Sequence, residues 1–203
     1  MRMIDVFSGF GGQSEAMLNH GWEVKRIDNN MLLNMVPNIT IQDAQSFLDE
    51  CKLLVEAYGL PHLDYLHFSP PCLEFSNAYN SPKTRANRNG EEYNPSLDLI
   101  YICLEIIDTL KPRFWSIENV LGAVPYFEPI LGPYRQHIGP YYYWGTFPLV
   151  SMPKDWRPPK KNESDPGPSN PLRANFRAII PYEISNAFRC AIESQLQLTY
   201  WFK

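Results

Sequence analysis

Cysteine is scarce and never paired in a metal-binding spacing: the four residues lie at positions 51, 72, 103 and 190. That excludes a disulfide scaffold and a zinc cluster, and a reducing compartment follows. No run of 18 apolar residues is present, and Asp5 interrupts the amino-terminal stretch before a signal-peptide core could form. Membrane association is therefore not expected, and a cytoplasmic location is, the host cell cytoplasm if the chain is viral. Basic charge is not in excess either. With 18 Lys and Arg against 22 Asp and Glu, and a formal charge of -4, a nucleic-acid contact has to be local and modest in the phosphates it neutralises. The remaining balance, 44% hydrophobic and 20% charged over 203 residues, is that of a globular chain burying roughly 70% of its extended surface in one compact domain.

The apolar run Met3 to Phe7 enters Ser8-Gly9-Phe10-Gly11-Gly12, and a helical stretch follows from Ser14 to Asn19. Gly21 ends that helix, and Trp22 to Ile27 reads as a second strand closing at Asp28. The pattern is strand, glycine turn, helix and strand, one β-α-β unit. Such a unit places its crevice at the carboxyl ends of its strands. There Gly9, Gly11 and Gly12 can let a ligand approach the backbone closely, and Asp28 can meet a hydroxylated group. The loop has no Lys-Ser/Thr ending, so a phosphate is not required.

Further along, Asn38 to Ile41 is a third strand with Asp43 beyond its end, and a helix follows through Leu60. Leu63 to Phe68 is a fourth strand that delivers Ser69-Pro70-Pro71-Cys72 to the same rim. Two prolines cannot continue a ladder, so they set the path of the loop and hold Cys72 outside the strand. Residues 77–96 are polar and read as a long loop carrying Lys83, Arg85 and Arg88. Leu97, Ile100, Tyr101, Leu104, Ile107 and Leu110 form one face of an amphipathic helix. Phe114 to Ile117 is a fifth strand with Glu118 and Asn119 at its tip, and Tyr134 to Val150 reads as an aromatic hairpin. Residues 151–175 are a Pro-rich arm, and Pro181 opens a last helix with Ile184, Ala187, Phe188, Ala191 and Ile192 on one face. Cys51, Cys103 and Cys190 lie in helical patterns and read as small buried hydrophobes. The expected fold is α/β: a doubly wound, mostly parallel, Rossmann-like sheet with a carboxyl-terminal β-hairpin. Residues 1–150 form its catalytic domain, 151–175 an arm or linker, and 176–203 a helix packing back on the domain.

These strings resemble the cytosine-5 DNA methyltransferases, in that family's order, over most of the first 120 residues. Asp5-Val6-Phe7-Ser8-Gly9-Phe10-Gly11-Gly12 is similar to the first cofactor motif. Asp28 resembles the ribose-binding acid and Asp43 the adenine-binding Asp, while Ser69-Pro70-Pro71-Cys72 with Phe75-Ser76 resembles the catalytic Pro-Cys loop. Glu118-Asn119-Val120 resembles the second catalytic motif. The resemblance implies a Rossmann-like fold that binds S-adenosyl-L-methionine, and methyl transfer to carbon 5 of cytosine in DNA. It implies cofactor contacts from Phe7, Ser8, Gly9, Gly11, Gly12, Asp28, Asn29, Asp43, Ala44 and Pro70. Cys72 becomes the nucleophile, Glu118 the partner of ring nitrogen 3, and Asn119 the holder of the loop. Substrate contacts fall to Ser69, Pro71, Ser76, Lys83, Arg85 and Arg88, with no metal.

Three departures stand beside this likeness. The family's Gln-x-Arg-x-Arg motif has no standard counterpart; Arg135, or the stretch Arg173 to Arg177, takes its place as candidate. The closing Gly-Asn-Ser-Val motif is absent, although Ile180-Pro181-Tyr182-Glu183-Ile184 resembles the helix that precedes it in many members. In place of a target-recognition module stand about 25 Pro-rich residues, too few to fill a groove and read a long site. The expected partner is DNA, single-stranded or with a short sequence preference, read by a homodimer or with a separate recognition protein. Two alternatives stay open: the same chemistry on RNA or a free cytosine nucleotide, and a catalytically silent S-adenosylmethionine-binding or regulatory protein.

Overall fold

The computed structural model describes residues 1–159 and 165–201. Seven strands form one sheet: β1 (Arg2–Val6), β2 (Glu23–Asp28), β3 (Ile39–Ile41), β4 (Tyr65–Phe68), β5 (Phe114–Val120), β6 (Gln136–Ile138) and β7 (Tyr141–Thr146). Their order is β3-β2-β1-β4-β5-β7-β6. The first five run parallel, and β7 and β6 are antiparallel. This is the doubly wound, mostly parallel sheet with a terminal hairpin that the sequence pattern predicts. The order reverses direction at β1 and β4, and in such sheets the ligand crevice opens beyond the strand ends at that point.

Helices cover both faces. On one, α2 (Ala44–Tyr58) and α4 (Asp98–Leu110) bury Phe47, Leu48, Cys51, Ile100, Cys103 and Ile106 against Val6, Leu66, Phe68 and Ile117. On the other, α1 (Glu15–Asn19) and α7 (Tyr182–Trp201) bury Met17, Ile184, Phe188 and Ile192 against Met3, Val24, Tyr65 and Tyr143. Successive strand residues point to opposite faces, so β4 sends Leu66 and Phe68 to the first core and Tyr65 to the second. The same alternation carries polar residues inward: Asp5, His67 and Ser116 are buried side by side on β1, β4 and β5, at paired register positions.

Several expectations need correction. The stretch 77–96 contains a helix, α3 (Pro82–Asn89), started by Ser81, whose side chain accepts from the Thr84 amide, and stopped by Gly90 in the left-handed conformation. Caps and a proline at the helix start define it, and Ala86 is its buried residue. A further helix, α5 (Val124–Leu131), follows β5 in spite of Pro129 inside it. The buried stripe of α4 is Ile100, Cys103, Ile106 and Leu110, and Tyr101 is exposed. Cys190 is exposed as well, because it lies off the Ile184, Phe188 and Ile192 stripe of α7. Glu118 and Asn119 are not a strand tip; they lie within β5, paired with Tyr143 and Tyr142 of β7. A short helix, α6 (Arg173–Arg177), precedes α7. Among the described residues no helix is long and apolar enough to cross a membrane.

Candidate active site

The glycine loop after β1 is held by its neighbour strand. Ser8 N donates to the Ile27 carbonyl at 3.1 Å, and Gly9 N donates to Asp28 Oδ2 at 2.9 Å. Asp28 Oδ1 accepts from Asn30 N at 3.0 Å. Phe7 has a φ of 57°, a conformation costly for a side-chain residue and often found at functional loops. The three glycines serve different ends. A Cβ on Gly11 would lie 2.3 Å from the Arg26 guanidinium, and one on Gly12 would lie 2.5 Å from the Ile180 carbonyl oxygen. Packing therefore accounts for both. Gly9 has a φ of 53° and its nearest foreign atom, Asn175 Nδ2, is 3.6 Å from such a Cβ, so it alone leaves open backbone at the rim.

Helix α6 leans on this loop from the carboxyl-terminal part of the chain. Phe176 stands against Phe10 with ring centroids 4.5 Å apart, and Asn30 Nδ2 donates to Asn175 Oδ1 at 3.3 Å. Arg173 is tied to Asp165 through two hydrogen bonds at 2.7 and 2.8 Å, with Arg177 3.9 Å from the same carboxylate. These contacts escaped the sequence reading; the one local signal was an aromatic and an amide between two arginines. Of the other cofactor candidates, Asn29 is exposed just beyond β2, and Ala44 is buried at the start of α2. Asp43 caps α2: Ser46 donates to it through its amide at 2.9 Å and its hydroxyl at 2.6 Å, which lowers the carboxyl pKa. The rim fits a ligand bearing hydroxyl or amino groups, because Ser8 Oγ is buried with no hydrogen-bond partner beside the Asp28 carboxylate.

The second half of the site comes from β4 and β5. Strand β4 ends with Phe68 opposite Ile117, so residues 118–120 of β5 have the loop after β4 beside them. Asn119 Nδ2 donates to the Pro70 carbonyl at 3.0 Å, and Asn119 Oδ1 accepts from Val120 N at 2.9 Å. Ser69 follows Phe68, the partner of Ile117, and so comes beside Glu118; its hydroxyl lowers the Glu118 pKa, but burial outweighs it and pushes that pKa up to about 7. Beyond the loop, Phe75 N and Ser76 N donate to the Cys72 carbonyl at 3.1 and 2.9 Å, closing a turn that leaves Cys72 half-buried. Pro70 is buried and Pro71 exposed. The loop is also wedged from below: a Cβ on Gly122 would lie 2.0 Å from the Phe75 carbonyl oxygen. Gly122→Ala is therefore expected to displace residues 72–76 and to lower turnover by about 10-fold or more, with a loss of roughly 1–3 kcal/mol in stability. Steady-state kinetics beside a urea melt would check it.

The basic candidates divide. Lys83 on α3 turns inward, donating to the Gly122 carbonyl at 3.1 Å and lying over the Tyr126 ring. Arg88 lies over Tyr79, and Arg85 is exposed on the same helix. Ser76 Oγ accepts from Ala78 N at 3.1 Å, and its carbonyl accepts from Ser81 Oγ, so it braces α3. Arg135 is not brought to the rim. Its Nε donates to the Phe147 carbonyl at 2.6 Å, and Phe147 follows Thr146, which pairs with Trp115 at the opposite end of β5 from Glu118. Two surface clefts, of about 630 and 540 Å³ around Arg2, Glu23 and His62, contain none of the candidate residues.

A glycine loop, an acid on the next strand, a loop thiol and a half-buried carboxyl thus share the carboxyl rim of a doubly wound, Rossmann-like sheet. Residues 1–126 match the family of C-5 cytosine-specific DNA methylases, and the chain belongs to that family. No curated protein matches it. Among solved structures it is similar to an Escherichia coli prophage protein assigned as a DNA modification methyltransferase. That match has 21% identity, a TM-score of 0.48, and covers 84% of this chain and 56% of that one. It is also similar to the Entamoeba histolytica methyltransferase EhMeth, with 18% identity, a TM-score of 0.46, and 72% and 52% covered. A Spodoptera frugiperda DNMT2 mutant shows 15% identity, a TM-score of 0.37, and 77% and 53% covered. The chain spans about half the length of these structures.

Proposed function

We propose that this protein methylates carbon 5 of cytosine in DNA through a covalent adduct on Cys72. One observation carries the reading: Asn119 holds the Pro70–Cys72 loop from β5 through the Pro70 carbonyl, with Glu118 next to it in the strand. The half-buried thiol and a carboxyl titrating near pH 7 thereby share one rim with the glycine loop. Carbon 5 of cytosine is a weak nucleophile. Addition of the Cys72 thiolate to carbon 6, with Glu118 giving a proton to nitrogen 3, makes carbon 5 part of an enamine. S-adenosyl-L-methionine, held by Ser8, Gly9, Asp28 and Pro70, with Phe7, Gly11, Gly12, Asn29, Asp43 and Ala44 shaping the rim, supplies an electrophilic methyl when bound. Loss of the proton on carbon 5 to a base, departure of Cys72 from carbon 6 as thiolate and return of the nitrogen 3 proton to Glu118 then restore the neutral aromatic ring.

Arg85 and Arg88 on α3, with Pro71, form the side from which DNA enters, and Lys83 and Ser76 brace it from within. A chain of charge -4 makes few phosphate contacts, so binding weakens only modestly with salt. A second copy or a separate protein supplies longer sequence recognition. Incubation with labelled S-adenosylmethionine and DNA containing 5-fluorocytosine tests this, since fluorine at carbon 5 blocks the final elimination. The expected result is a covalent DNA adduct absent from Cys72→Ala. An adduct formed with the RNA analogue and not with DNA would move the substrate to RNA, and no adduct with either would end the covalent reading.

A further inference from the structure

Beneath Glu118, on the α1 and α7 side of the sheet, lies a buried row of polar side chains that the chemistry above does not use. Ser69 Oγ is 2.8 Å from His67 Nε2, and His67 Nδ1 is 2.7 Å from Ser116 Oγ. Ser116 Oγ is 2.6 Å from Tyr65 OH. Gln13 Nε2 donates to Tyr65 OH at 3.4 Å, and Tyr143 OH donates to Gln13 Oε1 at 3.3 Å. Gln13, His67, Ser116, Tyr65 and Tyr143 are all buried.

The directions of these bonds follow from the far end. Tyr143 donates to the Gln13 carbonyl, so the Gln13 amide nitrogen donates to Tyr65. Tyr65, receiving that hydrogen, gives its own to Ser116, its nearest partner, and Ser116 gives its own to His67 Nδ1. Burial holds the His67 pKa down to about 3, so the ring is neutral and carries its one proton on Nε2. Nε2 then donates to Ser69, which leaves the Ser69 hydrogen for Glu118, its neighbour one step beyond the Phe68–Ile117 pair and the carboxyl whose pKa the Ser69 hydroxyl lowers. Every hydrogen in the row runs one way.

We propose that His67 is a positioning residue: through Ser69 it fixes a donor on one oxygen of Glu118 and leaves the other oxygen to carry the proton toward the substrate ring. The row also tempers burial. A donor on the carboxylate favours the charged form, so Glu118 titrates lower than its surroundings alone would set. The charged and titratable groups around it are Tyr141 and Tyr143 on β7, both pushed well above neutrality by burial, and His67 on β4. Asp5 on β1, raised to about 6 by burial, acts on Tyr65 and Tyr143 and is bonded to Ser14. None of these changes charge near pH 7 except Glu118 and, below it, Asp5.

The inference rests on Glu118 serving the cytosine ring, and its test is independent of turnover. Carboxyl carbons of Glu are labelled with carbon-13, the Glu118 signal is identified by its loss in Glu118→Gln, and its midpoint is followed with pH. Ser69→Ala and His67→Phe are each expected to raise the midpoint, the first by about one pH unit. Ser69→Thr and His67→Gln are expected to stay within about 0.3 of the parent, because a Gln amide can accept from Ser116 and donate to Ser69. Equal midpoints in the parent, Ser69→Ala and His67→Phe would overturn the proposal, as would a His67→Gln midpoint no lower than that of His67→Phe. If His67→Phe does not fold, equal midpoints in Ser69→Ala and Ser69→Thr overturn it. Failure of the underlying reading shows elsewhere, as full methylation by Glu118→Gln whatever the midpoints do.

Discussion

Cys72→Ser is expected to lower the methylation rate by roughly 1000-fold or more while leaving the thermal midpoint close to that of the parent. A thiol ionises near neutral pH far more readily than an alcohol, and the thiolate is the stronger nucleophile toward carbon 6. A hydroxyl at the same place keeps the turn closed by Phe75 N and Ser76 N, so the loss is chemical and not structural. Single-turnover kinetics with saturating DNA and labelled S-adenosylmethionine, beside a melting curve, separate the two. A rate within 10-fold of the parent would mean that the methyl reaches carbon 5 without a covalent intermediate.

Glu118→Gln is expected to cost about 100- to 10,000-fold in kcat/KM, the usual range for a positioned acid, and to remove a limb of the pH profile. The sign follows from the shift. Burial raises the folded-state pKa from 4.5 to about 7, so the acid form prevails below about 7 and is lost as pH rises through it. A donor to nitrogen 3 must hold its proton, and parent activity attributable to this group declines above about pH 7. The amide, which does not titrate, leaves a low rate with no such decline. Stability moves in the same sense: the preference for the protonated side chain is fully present below the unfolded value, 4.5, and is lost as pH rises to about 7. Thermal melts across that window should slope downward, less so in Glu118→Gln.

Much of this site could be read from one dimension. The glycine turn after β1, the acid at the end of β2, and a Pro-Pro-Cys loop after β4 are all adjacent in sequence to the strands that deliver them. Short apolar runs bounded by turn residues identify those strands, and a parallel sheet brings their carboxyl ends together. Helix α3 was legible in another code. Ser81-Pro82 and Gly90 are start and stop signals, but the helix buries Ala86 and carries no apolar stripe, so reading by periodicity passes over it.

Other features depend on which strands become neighbours. His67 sits in the strand Tyr65-Leu66-His67-Phe68, where a ring between two apolar residues reads as one more buried side chain. Its link to Ser116 exists because β4 pairs β5 with those two residues in register, 49 positions apart. Arg135 looked available for the substrate until the hairpin folded it onto the Phe147 carbonyl. Gly11 and Gly12 are also required by packing, because Arg26 and Ile180 occupy the space that a Cβ would fill, and nothing local in the sequence shows that.

From its sequence alone, then, this chain declares a cytosine-5 methylase family framework, the strands of its sheet and the order of its rim residues, because propensity, turn chemistry and apolar runs are encoded locally. The tertiary structure decided which rim residues keep their side chains free and which are consumed by packing. It also decided that a histidine, two hydroxyls and a phenol line up behind Glu118. Such partners are chosen by strand order and register, and a hydrogen bond reaching across 49 residues leaves no mark on either local segment.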